Sequence, residues 1–555
     1  MDVVIALSNQ LFLSLFLPLL LLGTIFLYTL HKSQHYNNHN SKDAAPRVSK
    51  PWPIIGHLHL LTRQEPLART LGSLADKYGP IFTFKLGMDR ALVVSNADAL
   101  RECFTINDKN FATRPPTSAS KYLGYNFAAF TFSPYGPYWR EMRKMVQLQV
   151  LSSKRIEALM NVRISELNSS IQELYSYIKK TNKQGHVGSN DREALGHGDI
   201  FPVKVDVSQW IEQLTLNAIV KTISGKRNVN LLDESDVEED ETSKNFRRVI
   251  REFMYVSGQF VVSDNIRLPL LSWLDIGGHV KSMKRIASEL DVIIQSWIDE
   301  HIETRRQLGR ENDHDGQDFI DVLLSQIDDK ISFGHPRDTI IKGTIMSIII
   351  AGADTTSILL TWIMSLLINN PHVMKQLQEE IHTKIGTDRW VEESDINNLP
   401  YLQSIFKETL RLYPPAPLSV PHEAMEDCIV GGYKIEKGTR LFVNLWKLHR
   451  DPRVWSDPDQ FKPERFLEKH AEVDVFGHQF EYTPFGAGRR SCPGTAFAIK
   501  VANLTIARLV QGFEFSTMLD LPVDMDEGLG ITLPRKNSLQ LLMKPLLNNS
   551  IYTSL

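Results

Sequence analysis

Phe485-Gly486-Ala487-Gly488-Arg489-Arg490-Ser491-Cys492-Pro493-Gly494 is the stretch on which the reading of the whole chain turns. A helix-like run from Thr495 to Gln511 follows it, closed by Gly512. Pro493 suits the first position of that helix, which sets Cys492 at the helix N-terminus. Free backbone N–H groups and the positive end of the dipole there favour a thiolate over a thiol. Gly486, Gly488 and Gly494 permit a tight loop and close approach by a flat ligand. Arg490 brings a fixed positive charge able to pair with a carboxylate. A structural cysteine in a glycine-rich turn is the plainer alternative, but the full pattern Phe-x-x-Gly-x-Arg-x-Cys-x-Gly is too specific for it. A cysteine thiolate in such a loop is suited to haem iron, where it pushes electron density toward O–O cleavage.

Working outward, the 555 residues carry 62 basic and 65 acidic side chains, a net charge of −3, so nothing global suggests a nucleic-acid partner. Three cysteines, Cys103, Cys428 and Cys492, are too few for a disulfide framework and point to a reducing compartment. Leu11 to Leu30 is uncharged and dominated by Leu, Phe and Ile. Such a run spans about 30 Å as a helix, the thickness of a bilayer core. It reads as a transmembrane anchor over 11–30 rather than a cleaved signal, with 1–10 on the lumenal side. Lys32, Lys42, Arg47 and Lys50 all follow it, which places the main body in the cytosol. A polar and proline-rich connector over 31–59 then leads into a single body, 60–555.

That body reads as mainly α. Ile81–Leu86 and Ala91–Ser95 flank Gly87-Met88-Asp89-Arg90 as a small hairpin, and helical periodicity dominates from Glu141. Polar interruptions fall at Thr181–Gly198, Asp233–Lys244 and Arg310–Gln317. Asp338–Asn369 is apolar on most faces and free of proline. Asp354 in its middle is costly in lipid, so it is expected as a central core helix instead of a second span.

Three further motifs stand in register with the cysteine loop. Glu408-Thr409-Leu410-Arg411 sets an acid and a base three apart on one helical face. Phe461-Lys462-Pro463-Glu464-Arg465-Phe466 offers a second arginine. Trp139 and Arg143 lie four apart on a helix opened by Pro137. Together they resemble the cytochrome P450 family, plant microsomal type, from the anchor to the C-terminus. Within that family the chain resembles the group that includes nicotine demethylase, furanocoumarin and flavonoid hydroxylases, homoterpene synthases and alkaloid hydroxylases. Trp390–Ile396 and Glu527–Thr532 carry that finer likeness.

The resemblance implies the P450 fold with small β-sheets, haem b, and Cys492 as the iron ligand. Arg490, Trp139, Arg143, His422, Phe485 and Gly488 are then expected around the haem, and Glu408, Arg411 and Arg465 in a structural ion network. Ala351–Thr356 resembles the oxygen-binding segment, with Thr355 positioning oxygen and water in a helix loosened beside Gly352, and Asp354 relaying protons. A hydroxyl bonded back to its own helix is the plainer reading of Thr355. Relatives that rearrange hydroperoxides without O₂ or a reductase often lack this threonine. A non-catalytic membrane-tethered haem protein would not need the acid–threonine pair.

By the same resemblance the substrate pocket draws on Thr117–Phe132, Ile349–Ala353, Ala416–Val420 and Leu529–Thr532. These hold Tyr122, Tyr125, Phe127, Phe130, Ile350, Leu418, Val420, Leu529 and Ile531, with Lys121 the only charged side chain, which implies a lipophilic substrate. No dinucleotide fingerprint occurs, so NADPH serves only through a partner, NADPH–cytochrome P450 reductase. Arg140, Lys144, Arg489 and Lys500 are candidate contacts for it. The implied location is the endoplasmic reticulum membrane.

Overall fold

The computed structural model describes residues 23, 43–61, 65–185, 201–227, 241–266, 275, 277–308, 318–328 and 333–555. Of the anchor read at 11–30, only Gly23 is described, in helical conformation; the lumenal segment 1–10 and the interruption at Arg310–Gln317 lie outside the described residues.

The connector read over 31–59 is fastened to the body where it is described. The Thr83 N–H donates to the Pro46 carbonyl at 2.8 Å, and the Val48 N–H to the Thr83 carbonyl at 2.9 Å. Ala45 and Val48 are buried. Helix α1 (Leu67–Tyr78) follows, then an antiparallel pair, β1 (Ile81–Leu86) and β2 (Asp89–Val94). The second strand starts two residues earlier than the apolar pattern suggests. Asp89 is admitted to it because its carboxylate meets Arg440, 351 positions away, at 2.8 Å.

Helix α2 (Pro137–Met145) opens on Pro137 and runs into a wider turn, Val146–Val150. Next come α3 (Met160–Gly185), strand β3 (Val203–Asp206), α4 (Val207–Ser224), α5 (Glu241–Ser257), α6 (His279–Leu308) and α7 (Phe319–Gln326). Thus α3 enters the first polar interruption and α5 begins inside the second. Polar residues there are compatible with exposed helical faces, which composition alone does not separate from loops.

Helix α8 (Arg337–Asn369) is the axis of the molecule. Among the described residues it is the one helix long and apolar enough to cross a membrane, with a mean hydropathy of 1.5, yet 78% of that stretch is buried in protein. The core-helix expectation holds. Its many isoleucines are mediocre helix formers, so burial against neighbouring helices, α4 foremost, outweighs propensity. The helix stops at Asn370, where Pro371 opens the next one.

Helix α9 (Pro400–Leu412) and helix α10 (Thr495–Gly512) pack against α8. Between them lie β4 (His422–Glu423), β5 (Cys428–Val430), β6 (Tyr433–Ile435) and β7 (Arg440–Val443). Strands β8 (Phe513–Ser516) and β9 (Gln540–Pro545) follow, and a short helix, Asn549–Thr553, comes last. The sheets are small: β1-β2-β7-β4, with β2 and β7 parallel; β3-β9-β8, antiparallel; and the hairpin β5-β6.

One buried ion cluster ties this scaffold together. Arg411 donates through Nε and Nη2 to the two oxygens of Glu408 at 2.7 and 2.8 Å, and Arg465 Nε reaches Glu408 Oε1 at 3.0 Å. The remaining Arg411 donors meet the carbonyls of His449, Pro458 and Gln460. The three-residue network expected from two separate motifs is present.

Candidate active site

The cysteine loop closes on itself. The Cys492 N–H donates to the Phe485 carbonyl at 2.9 Å and the Ser491 N–H to the Gly488 carbonyl at 3.1 Å. Gly488 has φ +67°, and a Cβ there would lie 2.3 Å from the Asp108 carboxylate. Its lack of a side chain therefore serves the turn and the seat of Asp108, beyond any approach by a ligand. Helix α10 begins at Thr495 after a turn through Pro493 and Gly494, two residues later than Pro493 suggests. The Thr495 hydroxyl donates to the Cys492 carbonyl at 3.1 Å. Burial pushes the Cys492 thiol up, opposed by the Gly494 N–H, the Thr495 hydroxyl and the charge of Arg143.

Cys492 keeps exposed surface although protein surrounds it, because that surface faces an internal space. Ala351 is likewise exposed between buried turns of α8. These are two walls that a flat prosthetic group would cover.

Cations converge beside this space. Arg490 donates to the carbonyls of Ala112 and Ser133, each at 2.6 Å, and its guanidinium lies 4.2 Å from the centre of the Trp139 ring. Arg143 is buried one turn from Trp139 and reaches the Ser491 hydroxyl at 3.5 Å. Arg114 donates to the carbonyls of Val420 and Pro421, and its Nε has no partner among the described residues. His422 is buried and places Nδ1 2.7 Å from the Phe111 carbonyl, which fixes the proton on Nδ1. Burial lowers all four; Arg490 falls to about 8, with the charges of Arg114 and Arg143 adding to the fall, and Arg114 to about 9. Among the described residues none of these arginines reaches a carboxylate of the protein, which leaves Arg490 free for a carboxylate of another group. Three uncompensated guanidinium groups are costly unless a dianionic ligand arrives, and the two propionates of a haem supply that charge.

Arg114 is the residue that motif reading misses. Its one sequence signal is the pair Pro115-Pro116, which holds it in extended backbone, with no periodicity to mark it.

In α8, Asp354 is enclosed and burial raises its carboxyl to about 6, with Glu212 adding to the rise and the Thr532 hydroxyl opposing it. Its Oδ2 has no partner among the described residues. Thr355 donates to the Ala351 carbonyl at 2.6 Å, the back-bonded form. Thr344, Ser347, Thr361 and Ser365 do the same, so the bond itself does not distinguish Thr355. What distinguishes it is that those four are buried while Thr355 keeps surface and free lone pairs. The helix is regular through Gly352; the loosening expected there is not seen.

A cavity of about 150 Å³ draws on three of the four expected segments, through Thr117 and Ala119, Pro417–Ser419, and Gly530–Thr532. Ile349 and Ile350 are instead packed in the core, as is Phe130, and Leu529 is 54% exposed at the outside. The charged groups of the lining are Asp264 and Arg440, while Lys121 is exposed elsewhere. Both are satisfied within the wall: Asp264 accepts from the Ser118 N–H and hydroxyl, and Arg440 binds Asn265 and Asp89.

On the cysteine side, a groove of about 410 Å³ is lined by Arg140, Lys144 and Arg489. Arg489 already pairs with Asp108 at 3.2 Å, and Lys500 is taken up by Glu393 and Glu157. Arg140 and Lys144 are the exposed basic groups left on that face.

With this geometry in place, the comparisons are direct. The family model for cytochrome P450 matches residues 46–542. Vinorine hydroxylase of Rauvolfia serpentina is 49% identical over 507 residues, which are 91% of this chain and 92% of that protein. A nicotine N-demethylase of Nicotiana tabacum is 44% identical over 516 residues, 92% and 94% of the two chains. A xanthotoxin 5-hydroxylase of Arabidopsis thaliana is 44% identical over 544 residues, 97% and 99%. A zebra fish cytochrome P450 solved with progesterone shares the fold, with TM-score 0.68 and 23% identity, over 86% of this chain and 100% of that one. The residues around Cys492 fit haem b, the cofactor of this fold, reduced by NADPH through a separate reductase. The chain is a monooxygenase and belongs to the cytochrome P450 family.

Proposed function

We propose that the chain inserts one atom of O₂ into a lipophilic plant specialised metabolite, a terpenoid, a phenolic or flavonoid, or an alkaloid. Electrons come from the membrane NADPH–cytochrome P450 reductase, with the anchor at 11–30 holding the enzyme on the endoplasmic reticulum and the body in the cytosol. The observation that carries the site is the convergence of Arg114, Arg143 and Arg490 without a carboxylate beside an exposed Cys492.

Cys492 would hold the haem iron through its sulfur, and the bound haem would supply the activation of O₂. Arg114, Arg143 and Arg490 would hold the propionates by charge. Trp139 stacks on Arg490 and fixes its plane. His422, with its proton committed to the Phe111 carbonyl, presents Nε2 as a lone pair until a negative group raises its basicity. Phe485 and Gly488 shape the loop. Asp354, ionising at about 6, both takes and returns a proton near neutral pH at its unpartnered Oδ2. Thr355 keeps its donated bond to Ala351 and accepts a hydrogen bond from a water on its exposed side. The cavity wall satisfies its own charges, which leaves apolar contacts to orient the substrate.

The test has two parts. The reduced, CO-bound protein should show the thiolate absorption band, and lose it in Cys492→Ser. NADPH and reductase should then drive O₂-dependent product formation in a screen across the three metabolite classes. Turnover of hydroperoxides without reductase, and none with it, would overturn the reading.

A further inference from the structure

The hairpin that ends the cavity wall is held by several neighbouring elements. It is pinned at its base by a bridge between Glu527 and Arg535, and by the Gly528 N–H on the Pro534 carbonyl at 2.7 Å. Its tip, Gly530–Leu533, lines the cavity. Toward α8, Trp362 Nε1 donates to the Leu533 carbonyl at 2.7 Å, and the Leu533 N–H meets the Pro415 carbonyl at 2.9 Å. Toward the end of α5, two backbones lie in direct contact: a Cβ on Gly258 would sit 2.7 Å from the Ile531 nitrogen.

Toward α1 the fastening differs in kind. Arg69 Nε and Nη2 donate to the two oxygens of Glu527 at 2.6 and 2.7 Å. Pro66, Leu67 and Ala68, just before Arg69, form the cavity wall on that side. The bonds to α8 and Pro415 are interior and involve backbone, so they break only with the fold. The Arg69–Glu527 pair joins two side chains instead, the Glu527 carboxylate buried at 2% exposure and the Arg69 side chain reaching it from the outside at 42%. Arg69 also has a second resting place, since its guanidinium lies 4.8 Å from the centre of the Trp446 ring. It can release the carboxylate and stay held on the indole face.

We propose that Arg69 and Glu527 form the latch of the cavity, a pair of positioning residues that sets how fast bulky molecules pass between α1 and the 527–535 hairpin. The proposal rests on the reading of this cavity as the substrate's. Closed, the bidentate pair holds α1 against the hairpin; open, the two walls part without loss of the interior hydrogen bonds.

The experiment uses the haem-loaded full chain and two azoles of different bulk, 1-phenylimidazole and clotrimazole, whose nitrogen shifts the haem absorption band on binding. Stopped-flow absorbance gives each entry rate. Glu527→Gln and Arg69→Gln should each raise the clotrimazole rate about tenfold, the scale of one charge-assisted hydrogen bond, and change the 1-phenylimidazole rate less than twofold. The charge exchange Arg69→Glu with Glu527→Arg should restore the original ratio. An unchanged ratio of the two rates in both single variants, with the CO-bound band intact, would make the pair merely structural and overturn the latch. An exchange variant that folds yet keeps the fast rate would overturn it as well. If neither azole shifts the band of the unaltered protein, the reading of the site falls, and the latch falls with it.

Discussion

Asp354 shows what one enclosed carboxyl does to the balance of the molecule. Its folded value of about 6 stands above the ordinary 3.8, so between those values the folded state binds more protons than the unfolded one. Stability therefore falls as pH rises from about 4 through 6, and above that range the ionised carboxylate costs about 3 kcal/mol. Asp354→Asn should remove this slope and raise the unfolding midpoint at pH 7 relative to pH 4, measured by denaturant titration at both values. A slope that persists in the variant would assign it to another group. Thr355→Ala belongs to the same scale but moves a different quantity. Haem content and the thiolate band should persist, because the hydroxyl is bonded to Ala351 and supports no wall. The fraction of NADPH appearing as organic product should drop, with hydrogen peroxide making up the difference; a proton-positioning group of this kind is worth about 10²–10⁴-fold in the step it serves. Unchanged coupling across several substrates would return Thr355 to the company of Thr344 and Thr361.

At the scale of elements, the cluster of Glu408, Arg411 and Arg465 fastens α9 to the turn at Pro463–Phe466. All three side chains are buried, so losing the single carboxylate strands two guanidinium groups. Glu408→Gln should destabilise the protein by about 3–5 kcal/mol, seen as a lowered unfolding midpoint and earlier release of haem on heating. An unshifted midpoint would mean that the carbonyls of His449, Pro458 and Gln460 suffice. This cluster was legible because each half is a local motif of fixed spacing. So was α8, whose apolar run and terminal Asn370-Pro371 are read one after the other along the chain. The elements misjudged are those decided from afar. Asp89 looks like a turn residue until Arg440, 351 positions on, is beside it. Arg114 belongs to the site through carbonyls about 306 positions away, and no window of sequence holds both.

Across the whole molecule, the basic groups of the cysteine face outline where a reductase would dock. Arg140→Glu with Lys144→Glu should slow electron delivery from the reductase and flatten its dependence on salt, while leaving the CO-bound spectrum and azole binding unchanged. Reduction by dithionite, which needs no docking, should proceed as before; if it slows too, the substitutions have disturbed the haem site itself. Removing residues 1–30 should free the protein from alkaline-resistant membrane attachment without loss of haem, since α8 is buried in protein. Resistance that survives the deletion would call for a second span.

The union of Pro46 and Val48 with β1 bears on how far this enzyme could roam. Were the proposed anchor at 11–30 seated in a bilayer, the roughly 15 residues from 30 to 45 would let the body lie at most about 50 Å from it, and its search for substrate would be closer to two-dimensional than to three. Lipophilic compounds that dissolve in the bilayer would then be met at their concentration in lipid, which exceeds that in water by their partition coefficient.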